Sequence, residues 1–224
     1  MVNIAYRAGG CIDHHSPWPH FNVMRKTAAV ILAGGQGRRL GGAEKALVEI
    51  NGTRLIECVR GRLTPQCSEV ALSLRARQAW AEPFTMPLIL DRPTPESGPL
   101  GGIAAALHWA QSLDPQPEWV VTTPVDLPFL PLRLVHRLTS TDTDIGVARS
   151  MGQTHYAVAA WRPSLLASLE RALLDGPIAI RDFQSKHSVA LHEWPTSSVD
   201  PFFNVNTAED VKIAEDHAHA LAPQ

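Results

Sequence analysis

Short apolar runs alternate with longer amphipathic stretches along this chain from Ala28 onward. Runs of this length predict buried strands, and strands that alternate with helical patterns are typical of an α/β fold with a mostly parallel central sheet. The expected strands cover residues 28–32, 70–74, 88–90, 119–123, 145–149 and 156–161.

Four helices are expected between and after these strands, because apolar residues there recur at helical spacing. Thr53 is the expected N-cap of the first helix, and Pro99 suits the first turn of the second. Thr207 and Asp210 resemble a capping box before the last helix, with Asp in place of the usual Glu or Gln. The expected helices cover residues 54–63, 100–113, 163–174 and 207–217.

The composition indicates a globular chain with one core. It has 224 residues, of which 45% are hydrophobic and 19% charged, and we expect a single domain over residues 27–224. Residues 1–26 lack periodicity and are interrupted by Pro17 and Pro19, so a disordered N-terminal extension is expected there. A formal net charge of -2 argues against a nucleic-acid partner, because such binding needs a basic face.

The cysteines and the hydropathy pattern bear on the compartment. Cys11, Cys58 and Cys67 show no C-x-x-C spacing, and we expect neither a secretory signal nor a disulfide framework nor a structural zinc site. No apolar stretch approaches the 18 or so residues of a membrane span. We therefore expect a cytoplasmic protein without a membrane partner.

A glycine-rich loop follows the first expected strand directly. Residues 33–45 contain five glycines, two arginines and a lysine. Glycines let the backbone approach a ligand closely, and the cations indicate that the ligand carries phosphate. Lys45 is followed by Ala46 rather than by the Ser or Thr of a Walker loop, and Leu40 stands where the dinucleotide fingerprint has its third glycine.

Two aspartates follow later strands at the same expected edge of the sheet. Asp91 follows the third expected strand and Asp126 the fourth. Because ligands of open α/β sheets bind outside the carboxyl ends of the strands, we expect both carboxylates to share a crevice with the glycine-rich loop. Phosphate together with a divalent metal is the simplest chemistry that uses these cations and carboxylates.

Four blocks of sequence carry a resemblance to a known family. LAGGQGRRLG at residues 32–41, with Lys45 after it, resembles the signature loop of nucleotidyltransferases with a GT-A-like, Rossmann-type fold. Three more blocks resemble the molybdenum cofactor guanylyltransferases, within the MobA-like family, and all four follow the family's order. These three are GPLGGI at 98–103, preceded by Asp91, PVDLP at 124–128 and FNVNTAED at 203–210.

The resemblance implies a three-layer Rossmann-like fold and a reaction. In that reaction GMP is transferred from GTP to the phosphate of the molybdenum-molybdopterin cofactor, pyrophosphate is released, and a guanine dinucleotide cofactor is formed. Mg²⁺ is the implied cofactor, because it bridges carboxylate to phosphate. Transient contact with other proteins of molybdenum cofactor biosynthesis is also implied.

The resemblance assigns site residues as well. Arg39, Lys45 and Asp126 are the implied catalytic residues: the two cations cradle phosphates, and the carboxylate holds Mg²⁺. Ser73 stands where family members often have Asn, and Glu44 where they often have Asp. The implied nucleotide and cofactor-binding residues are Leu32, Ala33, Gly34, Gly35, Gly37, Lys45, Ser73, Asp91, Asp126, Asn204 and Asn206.

Three further polar residues have two interpretations each. Asn204 and Asn206 alternate along an extended segment, which puts both side chains on one face, where they bind acceptor or phosphate; asparagines also occur in turns for local reasons. His155 lies at the mouth of the sixth expected strand, as either an acceptor-binding or a structural residue.

Two other functions remain open from the sequence. One is a related nucleotidyltransferase that uses CTP or a sugar-phosphate acceptor, and the blocks at 98–103 and 203–210 argue against it. The other is a non-catalytic nucleotide-binding module. Retention of Lys45, Asp91 and Asp126 together argues against that module, because binding alone does not require all three.

Overall fold

A seven-stranded sheet is the centre of the protein in the computed structural model, which describes residues 27–34, 44–92, 98–195 and 199–221. The sheet order is β5-β4-β1-β6-β8-β7-β9, and a separate two-stranded hairpin pairs β2 with β3. The strands are β1 (Thr27–Leu32), β2 (Glu49–Ile50), β3 (Thr53–Arg54), β4 (Glu69–Leu74), β5 (Leu88–Leu90), β6 (Trp119–Pro124), β7 (Ile145–Ser150), β8 (Gln153–Trp161) and β9 (Val189–Trp194).

The sheet is mostly parallel, as the sequence predicts. β1 pairs in parallel with both β4 and β6, β4 with β5, and β7 with β9. β8 is antiparallel to both of its neighbours, β6 and β7. The carboxyl ends of six strands therefore lie at one edge of the sheet, and β8 begins at that same edge.

Helices cover both faces of the sheet and give three layers. One buried cluster contains Val59, Leu63 and Leu138 against one face; the other contains Leu107 and Leu169 against the opposite face. The helices are α1 (Leu55–Leu63), α2 (Pro99–Ala110), α3 (Leu134–Leu138), α4 (Leu166–Leu174), α5 (Ile180–Gln184) and α6 (Ala208–Leu221).

The six expected strands and four expected helices are confirmed with small shifts of their ends. The capping box of α6 is complete, because the Asp210 N–H donates to Thr207 Oγ1 at 3.2 Å and the Thr207 N–H donates to Asp210 Oδ2 at 2.8 Å. The second helix ends at Ala110 rather than at residue 113. Just after this end, the Ser112 hydroxyl donates to the Trp109 carbonyl at 2.7 Å.

The expected N-cap of α1 is wrong. Thr53 lies in β3, and Arg54 precedes the helix, with its N–H donating to Glu57 Oε2 at 3.2 Å. The reason is the tight β2–β3 turn, where Asn51 and Gly52 both adopt positive φ and return the chain directly into the helix.

Several elements were missed from the sequence, and one prediction stays untested. β9 lacks the strand pattern because polar residues interrupt it; among the described residues it lies at the edge of the sheet and pairs with β7. The single-domain prediction for residues 27–224 remains a prediction, and the expected extension over 1–26 lies outside the described residues.

Within the described part of the chain, no helix combines the length and apolar character needed to span a membrane.

Candidate functional site

The ends of three neighbouring strands are tied together where the site lies. The Ala33 N–H donates to the Ser73 carbonyl at 2.9 Å, and the Val125 N–H donates to the Leu32 carbonyl at 3.1 Å. Leu32 is thus fixed in register between β4 and β6, as the central strand requires. The residues that follow β1, β4 and β6 therefore form one continuous edge.

A first cluster surrounds the carboxylate of Asp91. Ser73 Oγ donates to Asp91 Oδ1 at 2.8 Å, and Ser73 is only 1% exposed. Two glycines leave space around this carboxylate: a Cβ on Gly34 would lie 3.1 Å from Asp91 Oδ2, and one on Gly102 would lie 3.3 Å from Oδ1. The backbones of the first loop and of α2 thus pack directly against a half-buried carboxylate, here called the Asp91 cluster.

The electrostatics of Asp91 follow from this packing. Burial raises the pKa of the carboxyl above its ordinary value, while the Ser73 hydrogen bond and the charge of Arg75 oppose that rise. A carboxylate that is partly desolvated and has one oxygen bound to a hydroxyl is a strong acceptor for a further donor. Ribose hydroxyls and guanine N–H groups are donors of that kind.

A second cluster gathers around the ammonium group of Lys45. Lys45 Nζ donates to Asp126 Oδ2 and to Asn206 Oδ1, and it lies 3.4 Å from Asn204 Oδ1. The side chain of Lys45 is 19% exposed and that of Asp126 is 13% exposed. These four residues, here called the Lys45 cluster, place one cation among one carboxylate and two amide oxygens.

Three separate segments supply the Lys45 cluster, and a small apolar core joins them. Ile50, Phe129 and Val205 belong to this core and are all buried. They come respectively from the segment after Lys45, from the loop after β6, and from the segment before α6. The Val205 N–H also donates to the Asp126 carbonyl at 3.0 Å, which fixes the asparagines beside the aspartate.

One atom of the Lys45 cluster is unsatisfied. Asp126 Oδ1 is buried and has no hydrogen-bond partner among the described residues. A buried carboxylate oxygen without a partner costs free energy unless a cation or donor meets it. Although the described residues contain no group of three His, Cys, Asp or Glu that fits a metal ion, Mg²⁺ needs only one or two protein carboxylates when phosphates supply the rest.

The predicted site residues fall into these two clusters. Leu32, Gly34, Ser73 and Asp91 come together in the first, and Ala33 follows β1 beside them; Lys45, Asp126, Asn204 and Asn206 come together in the second. Three further predicted residues lie outside the described residues: Gly35, Gly37 and Arg39.

Two residues near the site were not anticipated. Ser150 Oγ lies 2.8 Å from His155 Nε2 and donates to Asp200 Oδ1 at 2.8 Å. The sequence does not predict this Ser-His contact, because an irregularity in the β7–β8 pairing brings the two residues together. Of the three, only His155 had been considered.

Comparison with known proteins agrees with this geometry. Residues 29–190 match the family model of the MobA-like NTP transferase domain, which is most of the chain. The chain belongs to this family. The resemblance read from the four sequence blocks is therefore confirmed, and the protein is a nucleotidyltransferase.

Curated relatives narrow the family further. A molybdenum cofactor guanylyltransferase of Rhodopseudomonas palustris (strain BisB5) is 43% identical over 194 residues, which cover 84% of this chain and 92% of the relative. Another, from Nitrobacter hamburgensis, is 38% identical over 194 residues, covering 84% of this chain and 93% of the relative. The chain thus belongs with the molybdenum cofactor guanylyltransferases of the MobA-like family.

A solved structure shares the fold. Molybdopterin-guanine dinucleotide biosynthesis protein A from Archaeoglobus fulgidus matches with a TM-score of 0.68 and 25% identity, over 87% of this chain and 100% of that one. The expected Rossmann-like architecture of three layers is confirmed by this match and by the sheet order described above.

Proposed function

We propose that this protein transfers GMP from GTP to the phosphate of the molybdenum-molybdopterin cofactor. An oxygen of the acceptor phosphate forms a bond to the α-phosphorus of GTP, and the bond from that phosphorus to the bridging oxygen breaks. Pyrophosphate leaves with the electron pair. The observation that carries the proposal is the Lys45 cluster, which places a cation beside a partly unsatisfied carboxylate at the carboxyl edge of the sheet.

The Asp91 cluster is proposed to hold the nucleoside part of GTP. A Cβ at Gly34 or Gly102 would crowd Asp91, at 3.1 Å from Oδ2 and 3.3 Å from Oδ1, so glycine keeps the main chain close to this carboxylate and to the base or ribose that it is proposed to bind. Ser73 orients the carboxylate by holding one oxygen, and the second oxygen is the proposed acceptor for a donor on the ligand. Leu32 and Ala33 contribute backbone groups at the end of β1.

The Lys45 cluster is proposed to hold the phosphates. Both reactants are anions, and a site must suppress their repulsion before the acceptor can reach the α-phosphorus. The Lys45 ammonium neutralises part of that charge. Asp126 Oδ1 is the group that would hold Mg²⁺, with the amide oxygens of Asn204 and Asn206 nearby, and the ion would supply additional positive charge at the phosphates.

No general base is required for this reaction. The acceptor phosphate is already ionised at neutral pH, so the nucleophilic oxygen carries its charge before it enters the site. The residues of both clusters agree with this chemistry, because they comprise one ammonium, two carboxylates and neutral hydrogen-bonding groups. The work of the protein is then positioning and charge neutralisation.

The compartment and the partners are part of the same proposal. GTP and the molybdopterin cofactor are the proposed substrates, and contact with other proteins of the cofactor pathway is transient. Cys58 and Cys67 are both free, and burial raises the pKa of their thiols to about 11 and about 12. Protonated, unpaired thiols of this kind suit the reducing cytoplasm in which we propose that the protein acts.

A nucleotide-dependent melting experiment tests base choice, and a transfer assay tests the reaction. GTP with Mg²⁺ should raise the melting temperature more than CTP, UTP or ATP, because a ligand that binds only the folded state stabilises it. α-Labelled GTP incubated with molybdopterin cofactor should yield a labelled dinucleotide and pyrophosphate. A larger shift with CTP, or the absence of labelled dinucleotide, would contradict the proposal.

A further inference from the structure

An irregularity in β8 changes which residues face the site. Val147 of β7 pairs with Ala159, but the next residue, Ala148, pairs with His155. Residues 156–158 therefore have no partner in β7. Such bulges bend a strand and re-aim its side chains, and they are common beside active sites.

Two buried side chains satisfy backbone groups of the bulge. Thr122 Oγ1 donates to the Ala157 carbonyl at 3.0 Å, and Gln184 Nε2 donates to the Tyr156 carbonyl at 2.9 Å. Thr122 is fully buried and Gln184 is 2% exposed. The bulge is therefore stabilised by side chains from two other elements, β6 and α5, which satisfy carbonyl groups that have lost their partners in the sheet.

The bulge places the side chain of His155 on the same face of the sheet as that of Ser150. Side chains alternate along a strand, so an odd number of extra residues moves every later position to the opposite face. With three extra residues, His155 shares the face of Ala148 and reaches Ser150 diagonally, at 2.8 Å between Nε2 and Oγ. Its ring also packs on Phe202, with 4.7 Å between centroids.

Ser150 also contacts the segment that precedes α6. Its hydroxyl is fully buried and donates to Asp200 Oδ1, so the His155 Nε2 atom is the donor to Ser150 Oγ. The same Asp200 oxygen accepts the Phe202 N–H at 3.0 Å. One carboxylate oxygen thus fixes both the turn at residues 200–202 and its attachment to β7.

Asn204 and Asn206 lie between this attachment and a second one. The Asn206 N–H donates to Asp210 Oδ2 at 2.8 Å, the same oxygen that accepts the Thr207 N–H in the capping box of α6. Residues 200–206 are therefore held at both ends, and the two asparagine oxygens that face Lys45 lie between. The Ser150 contact therefore acts together with the helix cap and with the Val205–Asp126 hydrogen bond to position those oxygens.

We propose that Ser150, His155 and Asp200 are positioning residues for nucleotidyl transfer, which act by fixing Asn204 and Asn206 against Lys45. They do not touch the reacting atoms. The inference rests on the proposed function, since it assigns the asparagines to the phosphate and acceptor side of that site. Displacement of a positioned group by about 1 Å can lower the rate of a reaction by about a hundredfold.

Ser150→Ala is the main test, and Ser168→Ala is its matched control. Ser168 Oγ lies 3.4 Å from His187 Nε2, and the His187 ring packs on Phe183 at 4.5 Å, so the chain has a second Ser-His-Phe arrangement. It lies before β9, at the opposite edge of the sheet. Assayed well below the melting temperature, Ser150→Ala should lower kcat by about ten- to a hundredfold, while Ser168→Ala stays within about twofold of the parent protein.

Three further readouts separate positioning from general loss of structure. The Kd of GTP without acceptor should rise by a smaller factor than kcat falls in Ser150→Ala, because the Asp91 cluster and the Lys45 ammonium are both intact. Asp200→Asn should retain most of kcat, since its amide oxygen still accepts the Ser150 hydroxyl, whereas Asp200→Ala should lose it. Nitrogen NMR of the free protein should show His155 protonated at Nε2.

The outcomes are distinguishable from failure of the proposed function. The side-chain amide signals of Asn204 and Asn206 should shift in Ser150→Ala and not in Ser168→Ala, whether or not GMP is transferred. If the parent protein makes no dinucleotide but these signals shift, the function is wrong and the positioning contact stands. An unchanged kcat in Ser150→Ala, or an equal loss in Ser168→Ala, would overturn the positioning role.

Discussion

Lys45 and Asp126 form an ion pair that involves one of the two carboxylate oxygens of Asp126. Nζ donates to Oδ2, while Oδ1 is buried with no hydrogen-bond partner among the described residues. The same ammonium also contacts the oxygens of two asparagines. Lys45 is therefore both the proposed phosphate ligand and the counter-ion of the proposed metal ligand, and substitutions at the two positions should have different effects.

Lys45→Met should weaken GTP binding without abolishing metal binding. A hydrogen bond between charged groups is worth about 1.5–3 kcal/mol, which corresponds to roughly a ten- to 150-fold higher Kd for GTP. Removal of the ammonium frees Asp126 Oδ2, so Mn²⁺ should bind the nucleotide-free variant at least as tightly as the parent protein. Calorimetry with GTP and with Mn²⁺ measures both, and Lys212→Met, at an exposed position of α6, is the control. Unchanged GTP affinity would place the Lys45 ammonium away from the phosphates.

Asp126→Asn should abolish Mn²⁺ binding and reduce transfer by about 10²–10³-fold or more. The fold should persist, because the contact with Val205 uses the Asp126 backbone carbonyl and not its side chain. Labelled-GTP transfer and Mn²⁺ titration provide the measurements, and circular dichroism checks the fold. Asp142→Asn, in an exposed loop, should leave all three unchanged. Parent-like Mn²⁺ affinity in Asp126→Asn would remove the metal role from this residue.

Much of the fold was predictable because buried strands leave a strong signal. Nearly every residue of β1 and β6 is buried, and both strands contain a short apolar run; both were predicted within one residue of their observed ends. β9 was missed, because an edge strand with exposed positions such as Leu191 lacks that signal. The capping box at Thr207 was predictable because it is local.

The site residues that directly follow strands could be predicted from the sequence. The residues that are brought together by the irregular pairing of β7 and β8 could not. Asp91 and Asp126 could be placed from the strands before them. The contacts of Ser150 with His155 and Asp200 could not, because they require a bulge that is stabilised by Thr122 and Gln184 from other elements. The local sequence of a strand does not indicate which residue of the neighbouring strand it pairs with.

Gly102→Ala and Gly61→Ala test the space around Asp91 as a matched pair in two helices. Alanine usually stabilises a helix by about 0.5–1 kcal/mol relative to glycine, and a Cβ on Gly61 meets nothing within 4 Å. A Cβ on Gly102 would lie 2.9 Å from Leu32 Cδ2 and 3.2 Å from Ser73 Oγ. We expect Gly61→Ala to raise the melting temperature by a few degrees.

Gly102→Ala should instead cost about 1–3 kcal/mol from overpacking and raise the Kd for GTP, since Ser73 and Asp91 must shift. Thermal unfolding with and without GTP measures both effects. If both alanine variants were equally stable and bound GTP equally well, the close approach at Gly102 would have no role in nucleotide binding.

Two partly buried histidines should make stability depend on pH. Burial lowers the pKa of His155, although Asp200 opposes the shift, and burial together with the charge of Arg137 lowers the pKa of His192. The unfolded chain therefore binds more protons than the folded protein once the pH falls below the ordinary histidine value of 6.5. Stability should be fully present above that value and should decrease as the pH falls through the lowered values.

Melting temperatures measured at a series of pH values from about 8 to about 5 should show this decrease. His192→Gln removes one of the two groups, so the difference between its curve and that of the parent should grow toward acid, with the variant less sensitive. His108→Gln, at an exposed position of α2, should run parallel to the parent. The Nε2 atom of His192 is buried and has no hydrogen-bond partner among the described residues. A proton there meets the charge of Arg137 rather than an acceptor, which is why the acid side must be the destabilised one.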